Sequence, residues 1–329
     1  MILIDKTSFN GHFSEACLML VNYKRSIGYK YGARTIRSLR VLNEYLSATC
    51  NNRTNNDFTV TKEMVIGYVA LKDDETPRTR NIRETLIRQF AIFLNTLEIG
   101  AYILPIRKRQ DMSTFTPYIF NEQQIYDLIK VVDSLPYKYR SPNYHFIYPF
   151  LIRLLYGCGL RISEALALNI EDIDFDEGVL CIKQSKYNNT RLVPMSISVR
   201  HSLEKYISQV HYNKNDSGFL FRNRWDKPYK SGSILQRFKL FLEEAGIHHT
   251  ENGRSQRLHD LRHTFAVHSL DNMSIQGIDT YCAIPYLSTY MGHRRVKHTE
   301  QYLRLTSDAY HKIISALDPI YENLFPEVE

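Results

Sequence analysis

No stretch of the 329 residues approaches the run of ~18–20 apolar side chains that spans a bilayer as a helix. The opening residues MILIDKTSFNG bring Asp5 before any long apolar segment and lack the basic flank, apolar core and cleavage site of a signal peptide. Secretion and membrane insertion are therefore not expected, and a cytoplasmic location is. The five cysteines (Cys17, Cys50, Cys158, Cys181, Cys282) are scattered, odd in number and without a CxxC pair. That pattern suits neither a disulfide framework nor a zinc knuckle. No internal repeat and no low-complexity segment is visible. With 43% hydrophobic and 23% charged residues, what remains is an ordinary globular composition, long enough for about two domains.

There is also no acidic excess. The formal charge is +7, from 42 Lys and Arg against 35 Asp and Glu. Residues 1–110 hold 17 basic and 10 acidic side chains, and the remainder holds 25 of each, so the whole excess lies in the first third. A basic module beside a neutral one suits a polyanion-binding domain joined to something else. A solvated helical surface would give the same balance.

Apolar periodicity predicts helices over about 12–28, 33–50, 61–71 and 77–100, with Arg34, Arg37 and Arg40 between the apolar positions of the second. Thr61 and Pro77 are placed to start the third and fourth. Pro105 and the run Arg107-Lys108-Arg109 mark a linker. Beyond it, helices are predicted at about 121–134, 145–156 and 159–168. Two short strands follow, 178–183 and 190–195, joined by the polar turn QSKYNN. Further helices are expected at about 197–210, 231–245, 259–270, 283–291 and 308–317.

Four clusters carry chemistry-bearing residues. The first is YGCGLRISE, where two glycines permit a tight turn, Arg161 begins a helix and Glu164 lies three residues on to orient it. Lys186 lies in the hairpin turn, five residues before Arg191. In HDLRH, His259 and Arg262 share a helix face. The i, i+4 pair His259 and His263 invites a zinc reading, but the residue after the first His is Asp260, not the glutamate that a zincin uses as base. The fourth cluster, MGHRRVKHTEQYL, sets Tyr302 nine residues after His293. Each alone also reads as ordinary helix or surface. Together, two arginines, two histidines, a lysine and a tyrosine form a site for a phosphodiester. Guanidiniums fork hydrogen bonds onto phosphate oxygens without a metal, and a tyrosine attacks phosphorus covalently.

In this order the clusters resemble the tyrosine recombinase (phage integrase) family. YGCGLRISEALAL is similar to its first-arginine box, HDLRHTFAVHSL to its His-x-x-Arg box, and MGH…YL to its Gly-His and nucleophile box. Lys186 falls where the family carries its hairpin lysine. The resemblance covers about 115–310 by motif. The stretch 271–288 is longer than in compact Xer-type recombinases, and LSTYMGH resembles recombinases of transposons and other mobile elements. No additional amino-terminal arm-binding domain is expected, since the helical pattern begins by about residue 12.

The resemblance implies a mainly α protein. A four-helix, SAM-like core-binding domain would occupy 1–104, a linker 105–116, and a mostly helical catalytic domain with a small antiparallel sheet and a C-terminal tail 117–329. Together the two domains would close as a C-shaped clamp on duplex DNA. It also implies that Tyr302 is the nucleophile and forms a 3′-phosphotyrosyl link. Arg161 and Arg262 would hold the phosphate, and His293 would add a hydrogen bond. Lys186 would be the general acid and His259 a hydrogen-bonding or base partner near the tyrosine, with Glu164 behind Arg161. No cofactor and no metal is expected. The expected partners are double-stranded DNA recombination sites, three further copies in a homotetramer with the tail docked on a neighbour, and accessory DNA-bending or directionality proteins. A type IB topoisomerase and a DNA-binding regulator that has lost catalysis remain open alternatives.

Overall fold

The computed structural model describes residues 9–51, 58–70, 72–73, 75–106, 116–183, 190–211, 218–248, 255–293, 295–300 and 302–303. Lys186, the basic run 107–109 and the helix expected at 308–317 lie outside these residues. The chain divides into two compact units, Met1–Ser113 and Thr114–Glu329.

The first unit contains helices α1 (Ser14–Ser26), α2 (Ala33–Asn51), α3 (Lys62–Val69) and α4 (Pro77–Thr96). Each apolar stripe turns inward. Leu20, Leu39, Leu42, Leu46, Phe90 and Leu94 are all buried in one cluster, while Arg34, Arg37 and Arg40 lie exposed on the opposite face of α2. The fourth helix starts as expected: Pro77 occupies its first turn, and the Thr76 hydroxyl accepts from the Thr79 N–H at 3.3 Å. Thr61 does precede α3, but its side chain makes no cap hydrogen bond. Asn43 is one of three polar residues buried among the described residues of this unit, with Ser47 and Glu84. Its amide accepts from Phe13 N at 3.2 Å and donates to Asn10 O at 2.7 Å, which ties the segment before α1 to α2.

The second unit opens with α5 (Glu122–Asp133), fixed by a capping box between Asn121 and Gln124. The next helix, α6 (Tyr144–Gly157), is apolar almost all round and is the axis of the core. Around it pack α5, α8 (Ile197–Val210) and α10 (Leu258–Ile275). Between α6 and α8 come the short α7 (Ile162–Ala165) and a three-stranded antiparallel sheet, β1 (Ile173–Asp174), β2 (Val179–Ile182) and β3 (Arg191–Pro194). Cys181 opposes Leu192 in the β2–β3 register, as a hairpin around QSKYNN requires. The remaining helices are α9 (Ser231–Glu244), α11 (Thr280–Met291) and α12 (Lys297–Glu300).

Two expectations need correcting. The helix foreseen over 159–168 shrinks to four residues, because Gly159 takes φ +57° and Leu168 leaves the helix to accept the Leu220 N–H in a loop pairing. The sheet has a third strand, β1, whose two residues are too few to show alternation.

Candidate active site

The site is built where the α6–α7 turn, the start of α10, the end of α11 and β3 meet. At Gly159 a Cβ would sit 2.3 Å from Cδ1 of Phe265, so only glycine allows both the positive φ and the close approach of α10. That approach lets Arg262, on the first turns of α10 and 1% exposed, donate from Nη1 to Gly159 O at 2.6 Å. Its Nη2 donates to Met291 O, also at 2.6 Å, on the last residue of α11. One guanidinium is thus pinned by carbonyls from two other elements. Burial, followed by repulsion from Arg161, pushes its pKa down to about 9, still above neutrality, so the cation persists.

Arg161 caps α7. Its backbone N–H and Nη1 both reach Glu164, at 3.0 and 2.6 Å. The same carboxylate accepts two bonds from Arg191 on β3, at 3.1 and 2.8 Å, and Arg262 Nη1 stands 3.9 Å away. Glu164 is 5% exposed. Burial would raise its pKa, but the Arg191 hydrogen bonds and charge, with help from Arg161, hold it at about 2. One carboxylate thereby gathers three guanidiniums and leaves the cluster net positive.

Gly292 ends α11 in the left-handed region (φ 64°) and directs the chain into His293. His293 Nδ1 lies 2.8 Å from the hydroxyl of Thr299, which is fully buried. The His293 ring lies 6.3 Å from that of Tyr302, close to parallel. Tyr302 is 1% exposed and packs with Ala266, Leu270, Ile284 and Leu287, apolar residues of α10 and α11.

Its hydroxyl meets His263 Nδ1 at 2.9 Å. The sequence had pointed to His259 for that place. His259 instead lies on the exposed side, its ring 4.7 Å from that of His263. The His263 pKa is lowered to about 4, by burial first and then by the nearby cations Arg257 and Arg262. At neutral pH His263 is therefore neutral, and its Nδ1 accepts from the phenol when Nε2 carries the proton.

The structure thus brings Arg161, Glu164 and Arg262 into one charge cluster, and His259, His293 and Tyr302 into one ring cluster, adjacent through the neighbours Arg262 and His263. Lys186 falls outside the described residues. Two participants were missed in the sequence. The sequence offers His263 only as a zinc ligand, and Arg191 only as the residue five positions after Lys186. Among the described residues no group of three or more His, Cys, Asp or Glu could hold a metal ion.

The helical scaffold that carries this arginine cluster and tyrosine is that of the tyrosine recombinase class. The phage integrase family model matches residues 119–308, more than half of the chain, and the chain belongs to that family. Along 94% of its length it is 27% identical to a Sinorhizobium fredii protein named, provisionally, integrase/recombinase y4rB, of which it covers 98%. It is 28% identical over 195 residues to the tyrosine recombinase XerA of Pyrococcus horikoshii, covering 58% of each chain. Among solved structures, XerH recombinase bound to a palindromic difH substrate superposes with a TM-score of 0.63 at 18% identity, over 94% of this chain and 92% of that one. Tn1549 transposon integrase bound to circular intermediate DNA gives 0.61 at 18%, over 91% and 98%. These two show the shared fold. No helix among the described residues is long and apolar enough to cross a membrane.

Proposed function

We propose that this enzyme is a site-specific DNA recombinase that cuts and rejoins duplex DNA through a 3′-phosphotyrosyl intermediate on Tyr302, in the service of a mobile genetic element. The observation that carries this reading is the meeting of Arg161 and Arg262 around Glu164 beside the Tyr302–His263 pair. Arg161 and Arg262 bind the non-bridging oxygens of the scissile phosphate and stabilise the charge that grows in the transition state. His293 adds a hydrogen bond to the same oxygens.

Tyr302 Oη attacks phosphorus as the phosphorus–O5′ bond breaks. The phenol proton moves toward His263. That imidazole is a weak base because it is buried, with cations beside it as a second cause, and the incoming phosphate charge offsets the cations. His259, against the His263 ring, supports it. Lys186, from the family resemblance, protonates the departing 5′-oxygen. The phosphotyrosyl bond conserves the energy of the broken link, so a 5′-hydroxyl from a second duplex reverses the step on a new partner. This scheme uses neither cofactor nor metal.

The mobile-element role is supported by the LSTYMGH wording, and the integrase/recombinase reading by the match to y4rB. We further propose that four protomers act on two DNA sites, the tail of each docking on its neighbour, with accessory bending or directionality proteins where the sites demand them. Sizing of complexes of wild-type and tail-truncated protein on site DNA tests the assembly. Tyr302→Phe tests the chemistry. Trapping on a nicked suicide substrate should give a covalent band with wild type and none with the variant, while DNA binding stays intact. A persistent band would move the nucleophile elsewhere. Strand exchange between two site-bearing duplexes separates a recombinase from a type IB topoisomerase.

A further inference from the structure

Arg191 is absent from the set of residues to which the preceding reading gives a role, yet its side chain joins three parts of the site. It is the first residue of β3, and its side chain is 9% exposed. Its Nε donates to Tyr290 O at 2.9 Å, in the last turn of α11. Its stem lies under the turn that presents His293, where a Cβ on Gly292 would come within 2.9 Å of Arg191 Cδ. Its two terminal nitrogens fork onto Glu164, 27 residues away in sequence.

The accounting at Glu164 gives this fork a meaning beyond packing. An ionised carboxylate offers about four lone-pair sites. Oε1 accepts from Arg161 Nη1 and Arg191 Nη1, and Oε2 accepts from Arg161 N and Arg191 Nη2. All four sites are filled, two of them by Arg191. Without Arg191 the carboxylate would hold two vacant sites in a buried setting, where an unfilled acceptor is costly. Among the described residues, the other guanidiniums at Glu164 are Arg161, already bonded through Nη1, and Arg262, whose Nη1 lies 3.9 Å from Oε2. Both are the groups required at the phosphate, and either would be drawn toward the acid.

We propose that Arg191 is a positioning residue for DNA cleavage: by filling half of Glu164 it keeps Arg161 and Arg262 turned toward the scissile phosphate. This rests on the assignment of Arg161, Arg262 and Tyr302 above. It separates two roles for one side chain. The stem supports the Gly292 turn, and the guanidinium sets how strongly Glu164 competes with DNA for the catalytic arginines.

The test uses the full chain, a nicked suicide substrate at saturating concentration, and variants that divide stem from head. Arg191→Met keeps the stem and loses donors and charge; Arg191→Lys keeps the charge and loses the fork. Adduct formation should slow about 100-fold in Arg191→Met and about tenfold in Arg191→Lys, with DNA affinity within about threefold of wild type, as expected when a transition-state contact is lost. Combined with Glu164→Gln, Arg191→Met should be no slower than the slower single variant, because both act through one contact. Equal rates for Met and Lys, or factors that multiply in the double variant, would reduce Arg191 to packing and overturn the proposal. So would cleavage by Arg191→Met within about threefold of wild type, the scatter usual for independent sites. If Arg191→Met does not fold by thermal melting, the same cycle with Arg191→Lys carries the comparison. Absence of any adduct in wild type, or its persistence in Tyr302→Phe, would instead strike the proposed function, and Arg191's role with it.

Discussion

Replacing Gly159 by alanine strikes both the fold and the arginine cluster, and its cost can be worked from local geometry. At φ +57° an L side chain costs roughly 1–2 kcal/mol. The added Cβ would also lie 2.3 Å from Cδ1, 2.8 Å from Cε1 and 3.0 Å from Cγ of Phe265. The ring has little freedom to retreat, since its other face stacks on Tyr290 with centroids 5.5 Å apart. Forcing it aside is overpacking, typically about 1–3 kcal/mol. The total of about 2–5 kcal/mol should lower the melting temperature of a unit of this size by roughly 5–15 °C. Gly159 O is also one of the two carbonyls that hold Arg262, so cleavage should fall further than stability explains. Thermal melting and suicide-substrate trapping, both run well below the variant's midpoint, measure the two effects. A melting temperature within about 2 °C of wild type, a shift smaller than 1 kcal/mol would give, refutes the steric argument. A destabilised variant that cleaves normally at low temperature refutes the link to Arg262.

Stability should fall as pH drops from about 6.5 to 4. His263 is depressed in the folded state, so in that window the unfolded chain binds a proton that the native one excludes, worth up to about 3 kcal/mol. His263→Gln should flatten the melting temperature against pH there, and an unchanged slope would show that the histidine does not supply it. Glu164 acts lower: its carboxyl, held at about 2, contributes stability above its unfolded value near 4.5 that is lost as pH falls from there toward 2. Residues 1–110, nearly the whole first unit, should bind duplex DNA weakly and in a salt-sensitive manner, losing about 0.9 in log affinity per log salt for each phosphate neutralised. A flat salt dependence in filter binding would mark its +7 excess as a solvated face.

Much of this molecule follows from local pattern. The apolar periodicity of residues 33–50 places Leu39, Leu42 and Leu46 on one helix face, and that face needs only a partner to be buried. The start of α4 is similarly legible, because a cap residue and proline act within one turn. Alternating short apolar runs around QSKYNN announce β2 and β3 for the same reason. The site boxes, too, are contiguous strings whose residue types suit a phosphate.

What the sequence by itself determined is therefore most of the elements, the basic balance of the first unit and the residue types gathered in the candidate site. Tertiary structure decided who touches whom. The hydroxyl of Tyr302 meets His263 and not His259, although both histidines lie on the same helix one turn apart; only the packing of Tyr302 against α10 makes the choice. Arg191 reaches Glu164 across 27 residues and Tyr290 across 99, because β3 runs between α7 and the end of α11. The length of α7 was settled by the same kind of contact, through Leu168 accepting the Leu220 N–H 52 residues on. Helix and strand patterns report interactions within a few residues. A hydrogen bond such as that between Tyr302 and His263 depends on distances of a few tenths of an ångström between segments far apart in the chain, which the packed core alone fixes.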